Sequence, residues 1–202
     1  MDPASRFHVA ALIPAAGASS RMGRDKLAVE VEGRSMLARV ADSLLGAGLA
    51  PLVVVCRGAD DPRRTLLAGR PVVWVDPPQP GEGMGASIAA GAAALPPGLD
   101  GVAVCPGDMP LLTAADVAAV VAAFDGVHLV AASHQGRRGH PVLFPARLFS
   151  RLSALSGDEG ARAVVSSERD KVKLVETGPG ALMDVDTPDD LAFLERSGRS
   201  TR

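Results

Sequence analysis

Short apolar runs recur along the chain, separated by segments whose apolar residues return at helical rather than strand spacing. HVAALI from His8, PLVVVC from Pro51, PVVWV from Pro71, GVAVC from Gly101 and VHLVAAS from Val127 read as buried strands. Ser35 to Ala47, Gly85 to Leu95, Ala114 to Phe124, Ala146 to Leu155 and Gly157 to Ser167 read as helices. Strands that are apolar throughout are covered on both faces, and strand–helix alternation implies βαβ units. The pattern predicts an α/β fold, a three-layer sandwich around a Rossmann-like, mostly parallel sheet. Two stretches break the alternation, Asp76 to Gly83 (DPPQPGEG) and Ser133 to Pro141 (SHQGRRGHP), and are expected to be loops. The expected organisation is one domain over residues 7–195, with flexible termini at 1–6 and 196–202.

Composition narrows the function classes. Of 202 residues 47% are hydrophobic, enough to bury a core without disulfides or structural metal. With 21 Lys and Arg against 23 Asp and Glu, the net charge of -2 supplies no basic field, so neither a nucleic-acid partner nor a membrane surface is expected. Cys56 and Cys105 each close an apolar run and read as buried small hydrophobes. The first residues show no signal-peptide cleavage pattern and no bilayer-length apolar run, so a cytoplasmic location is expected.

The chemistry concentrates in loops. PAAGASSRMGRDKL, Pro14 to Leu27, follows the first strand and packs small residues and cations into one turn. Small residues let backbone N–H groups approach phosphate oxygens, and Arg21 and Lys26 can neutralise the β and γ phosphates of a triphosphate. A plain surface turn is the alternative; neither a Walker loop nor a G-x-G-x-x-G fingerprint is present. Asp108, in VAVCPGDMPLLT, falls just beyond the carboxyl end of a strand, the edge at which open α/β sheets bind ligands. Asp184 and Asp186, in MDVDTPDDL, share a face if that segment is extended. Asp189 and Asp190 read instead as first-turn acids of a last helix. GMGASIAAG, Gly83 to Gly91, is by itself a Gly-rich helix start with Ser87 near its positive end. His140 is flanked by Gly139 and Pro141 with two arginines nearby, and Asp158 beside Gly157 reads equally well as a helix N-terminal acid.

These segments, in this order from Ala10 to Leu194, resemble the MobA-like NTP transferases, especially the molybdenum cofactor cytidylyltransferase branch. The first loop supplies Ala15, Ala16, Gly17, Ser19, Arg21, Met22, Gly23 and Lys26; Pro14 departs from the Leu of many relatives. The resemblance implies a nucleotide-diphospho-sugar transferase type of sheet. It implies that Ala15, Ala16, Gly17, Ser19, Lys26, Gly83, Gly85 and Ser87 contact nucleotide, and that Arg21, Lys26 and Asp108 are catalytic. It further implies that Asp108 with Asp186, and Asp184, hold Mg, the expected cofactor, and that RRGHP to GDEGAR, with His140 and Asp158, shapes the acceptor pocket. Ala16, where the guanylyltransferase branch carries Gly, points to CTP. The implied partners are CTP or another NTP, a phosphate-bearing acceptor such as the molybdenum pterin, and a molybdenum hydroxylase apo-enzyme. Three other classes stay open: a guanylyl- or sugar-phosphate nucleotidyltransferase, a glycosyltransferase using Asp184-x-Asp186, and a non-catalytic nucleotide-binding module. Separation of that pair from the cations of the first loop would count against both the nucleotidyltransferase and the glycosyltransferase.

Overall fold

The computed structural model describes residues 7–17, 25–79, 81–187 and 189–192. Strand β1 (Val9–Pro14) is buried along its whole length and lies in the interior of a seven-stranded sheet. It pairs in parallel with β4 (Leu52–Val55) on one side and β6 (Gly101–Val104) on the other, and β5 (Val72–Val75) continues the parallel set beyond β4. The second half adds β7 (Leu129–His134), β8 (Arg137–Pro145) and β9 (Val172–Glu176), in the order β5-β4-β1-β6-β8-β7-β9. A small antiparallel pair, β2 (Glu30–Val31) and β3 (Arg34–Ser35), stands apart. Pro14 occupies the last position of β1, where the ladder gives way to the loop, and Ala15 resumes it by donating to the Val55 carbonyl at 2.8 Å.

Alternate residues of β1 face opposite layers, as the two-residue period requires. Ala11 and Ile13 join a core with Leu37, Val40 and Leu44 of α1 (Met36–Gly46) and Val117 and Val120 of α4 (Ala114–Ala122). Ala10 and Leu12 join a second core with Ile88 of α3 (Met84–Ala93), Leu152 of α5 (Phe149–Ser153) and Val164 of α6 (Arg162–Ser167). Each of the Val, Leu and Ile side chains among these contributes roughly 1.5–3 kcal/mol on burial. Caps start the helices: Ser35 accepts from Ala38 N–H at 3.2 Å, and Thr113 and Asp116 form a reciprocal box at α4. The result is the expected α/β sandwich with a mostly parallel sheet.

The expected loop at Ser133 to Pro141 is instead a hairpin. Gln135 and Gly136, at φ 51° and 74°, turn the chain from β7 into β8, which runs antiparallel to both β6 and β7. Its first two residues, Arg137 and Arg138, are exposed, so no apolar side chain is required of them. Strand β9 escapes the apolar-run criterion because VKLVE, at the sheet edge, is only partly buried. The helix expected from Gly157 begins at Arg162, since Gly157 and Gly160 adopt φ 62° and 59°, incompatible with a right-handed helix. Ala146 to Leu155 divides into a 3-10 turn (Ala146–Leu148) and α5. Arg63–Leu66 forms an additional short helix, α2. Among the described residues, no helix is long and apolar enough to cross a membrane.

Candidate active site

The parallel strands β1, β4 and β6 deliver their carboxyl ends to one edge of the sheet, and the polar residues gather there. Lys26 opens a single 3-10 turn (Lys26–Ala28), anchored below by buried Leu27 and capped by Asp25, which accepts from Leu27 N–H at 3.1 Å. Asp108 stands on the loop after β6. The segment around Val185 runs past it, with Val185 N–H donating to the Asp108 carbonyl at 3.0 Å and the Val185 side chain buried. That contact sets Asp184 and Asp186 on either side of a buried anchor.

Lys26 joins two acids that are far apart in the sequence. Its Nζ lies 2.5 Å from Asp108 Oδ2 and 2.6 Å from Asp186 Oδ1. Burial opposes the charge on Lys26, but the two carboxylates outweigh it and hold its pKa above that of an ordinary lysine. The other oxygen of Asp108, Oδ1, is buried without a hydrogen-bond partner. Asp190, set aside in the sequence, proves structural: it accepts from Thr187 N–H at 2.8 Å and from Asp186 N–H at 3.1 Å, capping the helical residues 189–192 and fixing the backbone of Asp186.

A cavity of about 730 Å³ opens at this edge. Ala15, Ala16, Gly17, Lys26, Gly83, Ser87, Asp108, His140, Asp158, Asp184 and Asp186 all line it. Gly85 does not. Its N–H donates to the Gly157 carbonyl at 2.7 Å, and a Cβ there would lie 2.5 Å from the Ser156 carbonyl oxygen, so Gly85 permits a backbone-to-backbone contact beneath the cavity floor. Gly83 serves the same contact from the rim. The Ser87 hydroxyl donates to the Gly83 carbonyl at 3.2 Å, within its own helix. Ser19 and Arg21, with Met22 and Gly23, lie outside the described residues.

On the far wall, the start of β8 contributes Arg137, Arg138, Gly139 and His140. Both arginines are exposed, and among the described residues neither side chain makes a hydrogen bond or ion pair. Burial lowers the pKa of His140 although the Val104 carbonyl, Asp108 and Asp184 pull the other way, so the imidazole is neutral near pH 7. Its Nδ1 is buried and unpaired. Cys105, just before Asp108, is buried and its thiol is pushed up by that burial, which rules it out as a nucleophile at neutral pH.

Sequence reasoning missed Arg63. In PRRTLL it reads as a surface cation, yet its side chain is 1% exposed and bonds to Ala15, Gly17 and Asp25 of the first loop. Only the tertiary fold reveals this, because the partners, two backbone carbonyls and one aspartate, lie far away in the sequence.

The profile of the MobA-like NTP transferase domain matches residues 11–172. The chain belongs to the MobA-like NTP transferase family. As a family member it is a nucleotidyltransferase. The purine catabolism protein PucB of Bacillus subtilis is 29% identical, covering 91% of this chain and 94% of its own. The phosphoenolpyruvate guanylyltransferase of Rubrobacter xylanophilus is 33% identical, covering 90% and 89%. The crystal structure of Rv0371c from Mycobacterium tuberculosis H37Rv superposes with a TM-score of 0.78 at 26% identity, over 94% of this chain and 98% of that one. A manganese complex of the same mycobacterial protein matches at 25% identity and the same TM-score.

Proposed function

We propose that this MobA-like family member transfers CMP from CTP to a phosphate-bearing acceptor, releasing pyrophosphate, with the molybdenum pterin as the acceptor class. The observation that carries the reading is the convergence of Lys26, Asp108 and Asp186 beside the small-residue loop Ala15–Gly17 at the mouth of the cavity. A cation at this point suits a departing pyrophosphate, but it would serve the diphosphate leaving a nucleotide sugar equally well, so it is the family match that favours nucleotidyl transfer over glycosyl transfer. The Asp184-x-Asp186 pair is not remote from the loop cation, since Asp186 touches Lys26.

The residues fit a divalent cation of the Mg type. Asp108 has a buried oxygen with no partner, and among the described residues no three acidic, His or Cys side chains group to hold a metal on their own. Mg is suited to such a site, taking one or two carboxylates and completing its shell with water and substrate phosphates. The manganese complex of the mycobacterial neighbour supports a divalent cation in this fold. Asp108 and Asp186 are the proposed ligands, and Asp184 lines the same cavity. When bound, the ion would neutralise charge on the departing pyrophosphate.

The chain's own groups supply the rest. Lys26, and Arg21 by its place in the motif, neutralise the triphosphate, and the backbone of Ala15 to Gly17 with Gly83 and Ser87 borders the nucleotide. Arg137 and Arg138, unpaired across the cavity, attract an anionic acceptor and align its phosphate oxygen for in-line attack on the α-phosphorus. Such an acceptor is already ionised, so no strong general base is required, and neutral His140 and Asp158 are left to shape its pocket. Ala16 supports CTP through its resemblance to the cytidylyltransferase branch. Against it stands the guanylyltransferase name of the Rubrobacter xylanophilus relative, which supports GTP.

Pyrophosphate release by the purified protein, with Mg and either CTP or GTP, with and without molybdenum cofactor, tests the proposal. Release with CTP only when cofactor is present is expected. Release with GTP alone among donors would move the protein to the guanylyltransferase branch, and triphosphate binding without release under any acceptor would make it a binding module.

A further inference from the structure

Arg63 opens α2, outside the cavity, but its guanidinium is directed at the loop that borders it. The guanidinium makes four hydrogen bonds: Nε to Asp25 Oδ2 at 2.6 Å, one terminal nitrogen to Asp25 Oδ1 at 2.9 Å and to the Gly17 carbonyl at 3.0 Å, and the other to the Ala15 carbonyl. A buried guanidinium is costly unless its donors are met, so this arrangement is specific rather than incidental. Asp61, whose side chain is 1% exposed, aims it by accepting the backbone N–H groups of Arg57 and Arg63, both at 3.0 Å. Burial alone would raise the Asp61 pKa, yet these bonds and the Arg57 guanidinium hold it below the usual carboxylate range.

We propose that Arg63 is the positioning residue of the triphosphate loop, clasping its incoming end at Ala15 and Gly17 to its outgoing end at Asp25. The inference rests on the triphosphate reading above. In a trans peptide the N–H points opposite to the C=O. The Ala15 carbonyl, held back on Arg63, therefore turns the Ala16 N–H away from the guanidinium and toward the cavity that Ala16 lines. Asp25 directly precedes Lys26, so the same clasp fixes the base from which the ammonium reaches Asp108 and Asp186. A planar fork can span two carbonyls and a carboxylate at once, and a lysine ammonium cannot. The role is thus geometric, and retention of charge alone does not preserve it.

The test is calorimetric binding of Mg·CTP, Mg·GTP and Mg·tripolyphosphate to wild type, Arg63→Met, Arg63→Lys and Asp25→Asn, with folding checked by thermal melting. Tripolyphosphate carries no base and isolates the loop's contribution. Arg63→Met and Arg63→Lys are both expected to weaken every one of these probes that wild type binds, by about tenfold or more. Should Arg63→Met fail to fold, Asp25→Asn reads the same quantity, because Asp25 is 24% exposed and the buried guanidinium keeps its carbonyl partners. Binding within about twofold of wild type by a folded Arg63 variant would overturn the clasp, even if its melting temperature fell. Rescue by Arg63→Lys would do the same, by showing that charge suffices. Failure of wild type to bind any of the three probes would overturn the triphosphate reading itself.

Discussion

Replacing Lys26 with Met should destabilise the metal-free protein while making it a better metal binder. The Lys26 side chain is 20% exposed, between those of Asp108 at 13% and Asp186 at 42%. Breaking a buried ion pair costs about 3–5 kcal/mol, because the remaining charge is left uncompensated. Asp186 is substantially solvated and discounts its share, while Asp108 would lose the partner of Oδ2 with Oδ1 already unpaired. The net loss is therefore about 2–3 kcal/mol in EDTA, a fall of roughly 5–10 °C in melting temperature for a chain this size. The folded pKa of Lys26 is raised, so this contribution is complete at neutral pH and fades only as pH climbs through the folded value. A divalent cation competes with the ammonium for the same two carboxylates, and its removal should tighten Mn binding, read by EPR without nucleotide, by roughly tenfold or more. Wild-type melting in EDTA, or Mn affinity that is unchanged or weaker in Lys26→Met, would refute the reasoning.

Asp108→Asn should lower kcat by at least about 100-fold, since it removes charge where the reaction needs it; near-normal turnover in the folded variant would remove Asp108 from the site. The pair Arg137→Ala and Arg138→Ala should raise the acceptor KM about tenfold or more and leave the triphosphate KM unchanged, and a rise in the latter instead would assign these arginines to the donor side. Gly85→Ala would bring a Cβ to 2.5 Å from the Ser156 carbonyl oxygen, so thermal melting should register a loss of about 1–3 kcal/mol. An unchanged melting temperature would contradict that close packing.

Strands β1, β4, β6 and β7 were legible as apolar runs because helices and neighbouring strands cover them, and β5 was legible because VVWV is apolar throughout although it lies at the sheet edge and is only partly buried. Strand β8 was not, because Arg137, Arg138 and His140 give its first half the composition of a loop while the Gln135–Gly136 turn supplies its pairing. Strand β9 was hidden by Lys173 and Glu176 on an exposed edge. At the site, Asp108 was legible from its place after a strand. Its meeting with Asp186 was implied only by the family resemblance, and the Lys26 ammonium between the two acids was not foreseen, as such long-range contacts leave no local pattern. Gly85, implied as a nucleotide contact by the resemblance, packs against the Ser156–Gly157 backbone; a glycine beside another segment's backbone and one beside a ligand are alike in sequence. Arg63 left no signal at all, since its partners are two carbonyls and one aspartate.

The central claim is that the α-phosphoryl group of the triphosphate passes to the acceptor. The most direct measurement follows label from α-phosphate-labelled CTP and, separately, from γ-phosphate-labelled CTP, incubated with purified protein, Mg and molybdenum cofactor. The expected result is α label joined to the acceptor and γ label recovered in pyrophosphate, with both abolished in Asp108→Asn. Transfer of γ label to the acceptor, or release of γ label as inorganic phosphate with no acceptor adduct, would contradict it.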